Sequence, residues 1–199
     1  MGQFLRLLEM TQKLQQVIRR ASVPGRIGYE NDVEHSFHLA FAAIYLMNSY
    51  PKAFVGFDPY KVVTYALFHD LVEVHAGDYA YGACRDDKGR KEAEAAELIA
   101  DAFPEFRDLR AWLRDYLALA DKESRFIKGL DKVVATAIIY QSGGVSWREG
   151  CQTRDFIFDM LDNKLTEAGE APLVGGMMKI LKEQIVASGV RFAEADPAA

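Results

Sequence analysis

Cysteine is scarce in this chain of 199 residues: Cys84 and Cys151 stand alone and far apart. Without a CxxC pair there is no thiol redox motif or Cys-rich zinc site, and two isolated thiols fit a reducing, cytoplasmic setting. Proline is scarce too, at six, and no Ser/Gly-rich stretch, low-complexity segment or internal repeat suggests a linker. Long apolar runs are missing; the most apolar, Leu39 to Met47, is far too short to cross a bilayer. An excess of basic residues is missing as well. With 24 Lys and Arg against 29 Asp and Glu, the net charge of −5 argues against a nucleic-acid-binding surface, while leaving room for local phosphate binding. Charges interleave with apolar residues from Met1 to Arg20, unlike the apolar core of a signal peptide. No convincing strand alternation is present. The expectation is a soluble cytoplasmic protein with neither nucleic acid nor membrane as partner.

What is there is helical periodicity and enough apolar content, 50%, for a sizeable core. The pattern predicts an all-α, single-domain bundle over residues 1–193, with 194–199 a flexible tail. Phe4, Leu7, Leu8, Leu14 and Ile18 mark a first helix, and Ser22 to Asn31 reads as a loop around Pro24, Gly25 and Gly28. Asp32 is expected to cap a second helix from Val33 to about Ser49, apolar on nearly every side and therefore central. Asp58-Pro59 starts a third, with Phe57 placed to pack on Val62, running to about His75 and ending at Gly77. Tyr79 to Gly89 reads as a loop. Further helices are expected over Lys91–Phe103, Arg107–Ala120, Lys122–Gln141, Thr153–Ala168 and Val174–Ser188.

The chemistry concentrates on a few polar residues that fall on apolar stripes. His69 and Glu73 are four apart, and Asp70 and Glu73 three, so one helical turn can aim all three at one site. Glu73 is expected near a helix carboxyl end, where the dipole disfavours a negative charge by up to about 1 kcal/mol. His35 lies in line with Leu39, Ala42 and Leu46, a setting that also suits a core histidine. Asp131 interrupts the stripe Ile127, Val134, Ala135 and Ile138, where an ionised carboxylate needs a cation, either an arginine or a metal. Two His and two Asp suit one divalent ion of borderline character, manganese, cobalt, iron or zinc, better than magnesium.

The order His35, His69-Asp70, Asp131 resembles the H…HD…D signature of the HD-domain metal-dependent phosphohydrolases. The stretch from His69 to Asp78, with Glu73 and Gly77, is similar to the HDxxExxxGD segment of the 5′-nucleotidase branch, and Val33-Glu34-His35-Ser36 resembles that branch's first ligand motif. The resemblance covers roughly Leu14 to Ile139 and implies that His35, His69, Asp70 and Asp131 hold the metal. It implies Glu73 as general acid/base, and Asp78 as a second catalytic carboxylate or a partner of the sugar hydroxyl. The bacterial deoxynucleotidases carry Arg-Trp-Pro before the first His; here Arg20 stands at the Arg, followed by Ala21 and Ser22, so rejection of a 2′-hydroxyl is not implied. Arg26 competes with Arg20 as phosphate partner, and Arg85 stands near the position of a phosphate-binding Lys. Homodimers are common in that branch, and the apolar terminal helices could supply an interface.

The expected activity is therefore release of phosphate from ribo- or deoxyribonucleoside 5′-monophosphates by a metal-activated water. A deoxynucleoside triphosphate triphosphohydrolase would share the metal set; the short chain and the few lysines near the site, Lys88 and Lys91, favour the monophosphate. A non-catalytic nucleotide-binding module or a purely structural polar core are the rivals of other classes.

Overall fold

The computed structural model describes residues 1–76, 87–169 and 172–194. It is mostly helical, as the periodicity predicts, with one small two-stranded sheet. Two compact units form, Met1–Arg19 with Asn31–Ile127 and Arg20–Glu30 with Lys128–Ala199. Among the described residues no helix is long and apolar enough to cross a membrane.

In the first unit, α1 (Gly2–Leu14) is followed by α2 (Asp32–Ser49), a 3-10 turn at Pro51–Phe54, α3 (Pro59–Phe68), α4 (Glu73–Ala76), α5 (Lys88–Ala102) and α6 (Leu109–Leu117). Its core joins Met10 and Leu14 to Leu71 and Val72, and to Ala95, Ile99, Phe103, Leu109 and Leu113. The small alanines of α5 are what let that helix approach its neighbours closely. A capping box starts α2: the Asn31 carboxamide accepts from the Val33 and Glu34 N–H groups, and Glu34 accepts from the Asn31 N–H. The cap is thus Asn31 and not the expected Asp32, which is buried in the first turn. Asp58 caps α3 through the Tyr60 and Lys61 N–H groups, as expected, while Phe57 packs edge-on to Phe54 and Phe126.

The third helix does not run to His75. It ends at Phe68, and the chain turns through His69 to Val72 before α4 begins. Backbone bonds here span three residues, Glu73 N–H to the Asp70 carbonyl at 2.9 Å and Leu71 N–H to the Phe68 carbonyl at 3.0 Å. The Ala66 carbonyl, which a continuing helix offers to Asp70, accepts from the His69 ring at 2.9 Å. Glu73 therefore opens a short helix and does not close a long one, so the expected dipole penalty does not arise. Gly77, the expected stop, lies outside the described residues.

The segment expected as helix end and loop contains strands. β1 (Ile18–Ser22) pairs with β2 (Tyr29–Asn31) in a hairpin, antiparallel because six residues cannot make a parallel crossover. Gly25 at φ 78° and Gly28 at φ 119° supply the left-handed turns of its tip. The hairpin escapes the alternation test because its strands are so short.

The second unit holds that hairpin tip, most of α7 (Lys122–Gln141), α8 (Val145–Glu149), α9 (Arg154–Ala168) and α10 (Pro172–Ser188). Trp147 is buried and stacks on Phe192 at 4.9 Å, joining α8 to the chain after α10. Gly129 lets α7 meet α10, since a Cβ there would lie 3.0 Å from Val174 Cγ1.

Asp121 anchors α7. Its carboxylate accepts from the Ser124 N–H at 2.8 Å and the Tyr65 hydroxyl at 2.9 Å, and it pairs with Lys61 at 2.5 Å. Burial works to raise its pKa, but the bonds from Lys61, Ser124 and Tyr65 together lower it. A lowered carboxylate pKa stabilises the fold above its ordinary value of 3.8 and the stabilisation disappears as pH falls through the folded value. Asp121→Asn is expected to cost roughly 1–2 kcal/mol at pH 7. In urea titrations the gap to wild type should narrow as the pH falls below 3.8; a gap that stays equally wide throughout the acid range would sink the account.

A candidate metal centre

His35 projects from the buried face of α2 and is itself fully buried. Its ring centroid lies 5.2 Å from that of His69. His69 sits just past the end of α3, and its Nδ1 faces the Ala66 carbonyl at 2.9 Å. A carbonyl only accepts, so Nδ1 carries the proton and a neutral ring presents the Nε2 lone pair. That Nε2 is buried, receives no hydrogen bond, and stands 2.8 Å from Asp70 Oδ2. At that separation the two atoms need positive charge beside them, from a proton on Nε2, the Arg19 guanidinium or a metal ion.

These residues fit a divalent ion: imidazole and carboxylate donors, with the Ala66 carbonyl holding the His69 ring by its far nitrogen. Tyr116, edge-on to His69 at 6.2 Å, adds an aromatic wall. The break after Phe68 is what brings Asp70 round to its neighbour's Nε2; adjacent residues on a continuous helix point about 100° apart. Glu73, one turn on, is also buried.

Asp131 belongs to the other unit, one turn beyond Ile127 on α7. It is buried, as the interrupted stripe predicts, with Lys132 Nζ 2.7 Å from its Oδ2. Of the expected phosphate partners, Arg20 is exposed on β1, and Arg26 lies in the hairpin tip, where its Nη2 donates to the Tyr29 carbonyl at 3.0 Å. Arg26 lines a cavity of about 520 Å³ with Ser22, Tyr29, Gln141, Ser142 and Glu149. The Tyr29 hydroxyl donates to Glu149 at 2.7 Å, and that bond and the carboxylate's charge raise its pKa. Asp78 and Arg85 lie outside the described residues.

Sequence reasoning missed Arg19. Its guanidinium pairs with Asp70, and Nη1 lies 3.2 Å from Asp32 Oδ1. No signal in the sequence marked it, because β1 was not legible as a strand; once β1 forms, Arg19 and Arg20 point to opposite faces and only one can turn inward.

Residues 11–171 match the HD domain family, and the chain belongs to it. Its structure is similar to the crystal structure of a predicted metal-dependent phosphohydrolase from Magnetospirillum magnetotacticum MS-1, at 26% identity and TM-score 0.79, over 97% of this chain and 95% of that one. It also shares the fold of a conserved hypothetical protein from Pyrococcus furiosus, at 21% identity and TM-score 0.66, over 92% of this chain and 99% of that one. No curated protein matches in sequence. The chain thus has the fold of the HD-domain metal-dependent phosphohydrolases, with a candidate His/Asp metal site.

Chelator-treated protein is expected to gain thermal stability on adding manganese, by roughly 5–10 °C at a hundredfold excess over the dissociation constant. His69→Ala should lose that gain in differential scanning calorimetry; an unchanged gain would place the ion elsewhere.

Proposed function

We propose that this protein is a 5′-nucleotidase, releasing inorganic phosphate from ribo- or deoxyribonucleoside 5′-monophosphates in the cytoplasm. The observation that carries the reading is the buried convergence of His69 Nε2 and Asp70 Oδ2, 2.8 Å apart, beside His35 in a chain of this family. His35, His69, Asp70 and Asp131 are assigned as the ligands, following the family's order. When bound, a manganese, cobalt, iron or zinc ion supplies Lewis-acid activation of water and of a phosphoryl oxygen.

The chain's own residues do the rest. Glu73, buried at the start of α4, accepts the proton of the attacking water and returns one to the leaving 5′-oxygen. Arg20 and Arg26, both on the hairpin, meet the charge on the phosphoryl oxygens, with Arg85 as a third candidate. Asp78 serves as a second carboxylate or holds a sugar hydroxyl. Ala21 in place of a bulky aromatic leaves the sugar edge uncrowded, which supports acceptance of both sugar types. The scarcity of lysine near the site favours a monophosphate over a triphosphate.

After chelation, manganese or cobalt should restore phosphate release from a panel of nucleoside monophosphates. Glu73→Gln should lower kcat by about 10²- to 10⁴-fold while metal binding persists. Triphosphate released from a deoxynucleoside triphosphate would instead identify the triphosphohydrolase.

The partner assigned is a second copy, and its seat is the outer face of α2, not the terminal helices. Val33, Phe37, Phe41, Ile44 and Tyr45 recur there at helical spacing, with Phe37, Phe41 and Tyr45 at 62%, 66% and 62% exposure. Together they present roughly 400–500 Å² of apolar surface, and two copies supply roughly 900 Å². That is about the apolar share of a standard interface of some 1,600 Å². From His35 to Pro51 the chain has no Lys, Arg, Asp or Glu, so two molecules of charge −5 can meet there without apposing like charges. Light scattering should give twice 22.3 kDa for wild type and 22.3 kDa for Phe41→Glu. A monomeric wild type, or a dimer untouched by that change, would refute the assignment.

A further inference from the structure

Asp70 Oδ2 serves two partners at once. It stands 2.8 Å from His69 Nε2 and also meets Nη1 of Arg19. The same Nη1 lies 3.2 Å from Asp32 Oδ1. One guanidinium nitrogen is therefore shared between two carboxylates, with an imidazole lone pair just beyond. The setting is dry: the Asp32 side chain is fully buried, and those of Arg19 and Asp70 are 15% and 14% exposed. Charges so placed interact more strongly than at a surface, and neither carboxylate is cheaply left without a counter-charge.

A metal ion held by His69 Nε2 and Asp70 Oδ2 would share the oxygen that Arg19 meets. Guanidinium and metal are like charges drawn to one ligand, so each weakens the other's hold. We propose that Arg19 is a built-in counter-cation: it neutralises Asp70 when the metal is away, and withdraws toward Asp32 when the metal binds. Asp32 is the anchor that makes the withdrawal possible, keeping the cation compensated and close. The inference rests on the reading of Asp70 as a metal ligand.

Its consequence is a measurable antagonism. By the thermodynamic cycle, a residue that stabilises the metal-free fold more than the metal-loaded one must lower metal affinity by the same factor. Arg19→Met should melt at a lower temperature than wild type in chelator, yet bind manganese at least tenfold more tightly. Asp32→Asn removes the anchor and turns the guanidinium's charge more fully onto Asp70, so manganese should bind several-fold more weakly. Arg19→Lys keeps the charge and should bind close to the wild-type value.

Calorimetric titration of manganese into the chelator-treated full chain, with melting temperatures of the metal-free forms, tests this without any activity assay. Wild-type or weaker affinity in Arg19→Met would reduce Arg19 to a structural support and overturn the inference, as would tighter binding by Asp32→Asn. Should Arg19→Met not fold in chelator, Asp32→Asn, isosteric with the native residue, decides alone. Asp70→Asn separates the two readings. If it binds manganese like wild type, the ligand assignment and this inference fall together. If it loses the metal while Arg19→Met remains at the wild-type value, only the inference falls.

Discussion

Compensating the carboxylate of Asp70 is the constraint on which the first unit's architecture turns. A carboxylate that is mostly withdrawn from water needs a cation within reach, and its surroundings provide one. Helix α3 stops at Phe68, the turn swings Asp70 toward the face of its own neighbour His69, and β1 extends Arg19 to meet it. Had α3 continued, the two side chains would diverge around the helix and the pair would not form. The broken helix is thus the feature that makes a site, and Glu73 gains its place at the start of α4 from the same break.

The scaffold around this turn is built from ordinary helix chemistry. Asn31 and Glu34 start the helix that carries His35; Asp58 starts the one that delivers His69; Asp121 starts the one that carries Asp131. Each site-bearing helix is pinned at its amino end by a side chain that also resists sliding along the axis. Asp121 does more than cap, because Lys61 and Tyr65 reach it from α3 and couple the start of α7 to that helix. Burial and the Asp121 bond raise the Tyr65 pKa, so its hydroxyl stays a donor throughout the neutral range. Precision at the imidazoles and carboxylates comes from these caps and from the small alanines that let helices pack closely.

Membership of the HD domain family and the metal-compatible donor set define a class of chemistry, phosphoester hydrolysis assisted by a divalent ion. On the proposed function, the narrower choice of substrate falls to residues outside that donor set, the hairpin arginines and Asp78 and Arg85. Short surface turns such as the hairpin tip are where relatives of one fold can diverge in function without disturbing its core.

Much of this was legible in the chain itself. The spacing of apolar residues located α2 and α5 to α10 to within a few residues, missing only the brief α8, because burial of a helical stripe is a local pattern repeated over many residues. The ordered set His35, His69-Asp70, Asp131 was legible through its resemblance to the HD-domain signature, and the match of residues 11–171 shows that family; a carboxylate on a core stripe by itself demands only a cation. The hairpin, the stop at Phe68, the exchange of Asp32 for Asn31 as cap, and the part played by Arg19 were decided only in three dimensions. Each hinges on a few hydrogen bonds or ion pairs, some between residues distant in the chain, and such contacts leave no periodic trace. Sequence determined which helices form and which residues need a cation; tertiary structure decided where the helix breaks and which cation arrives first.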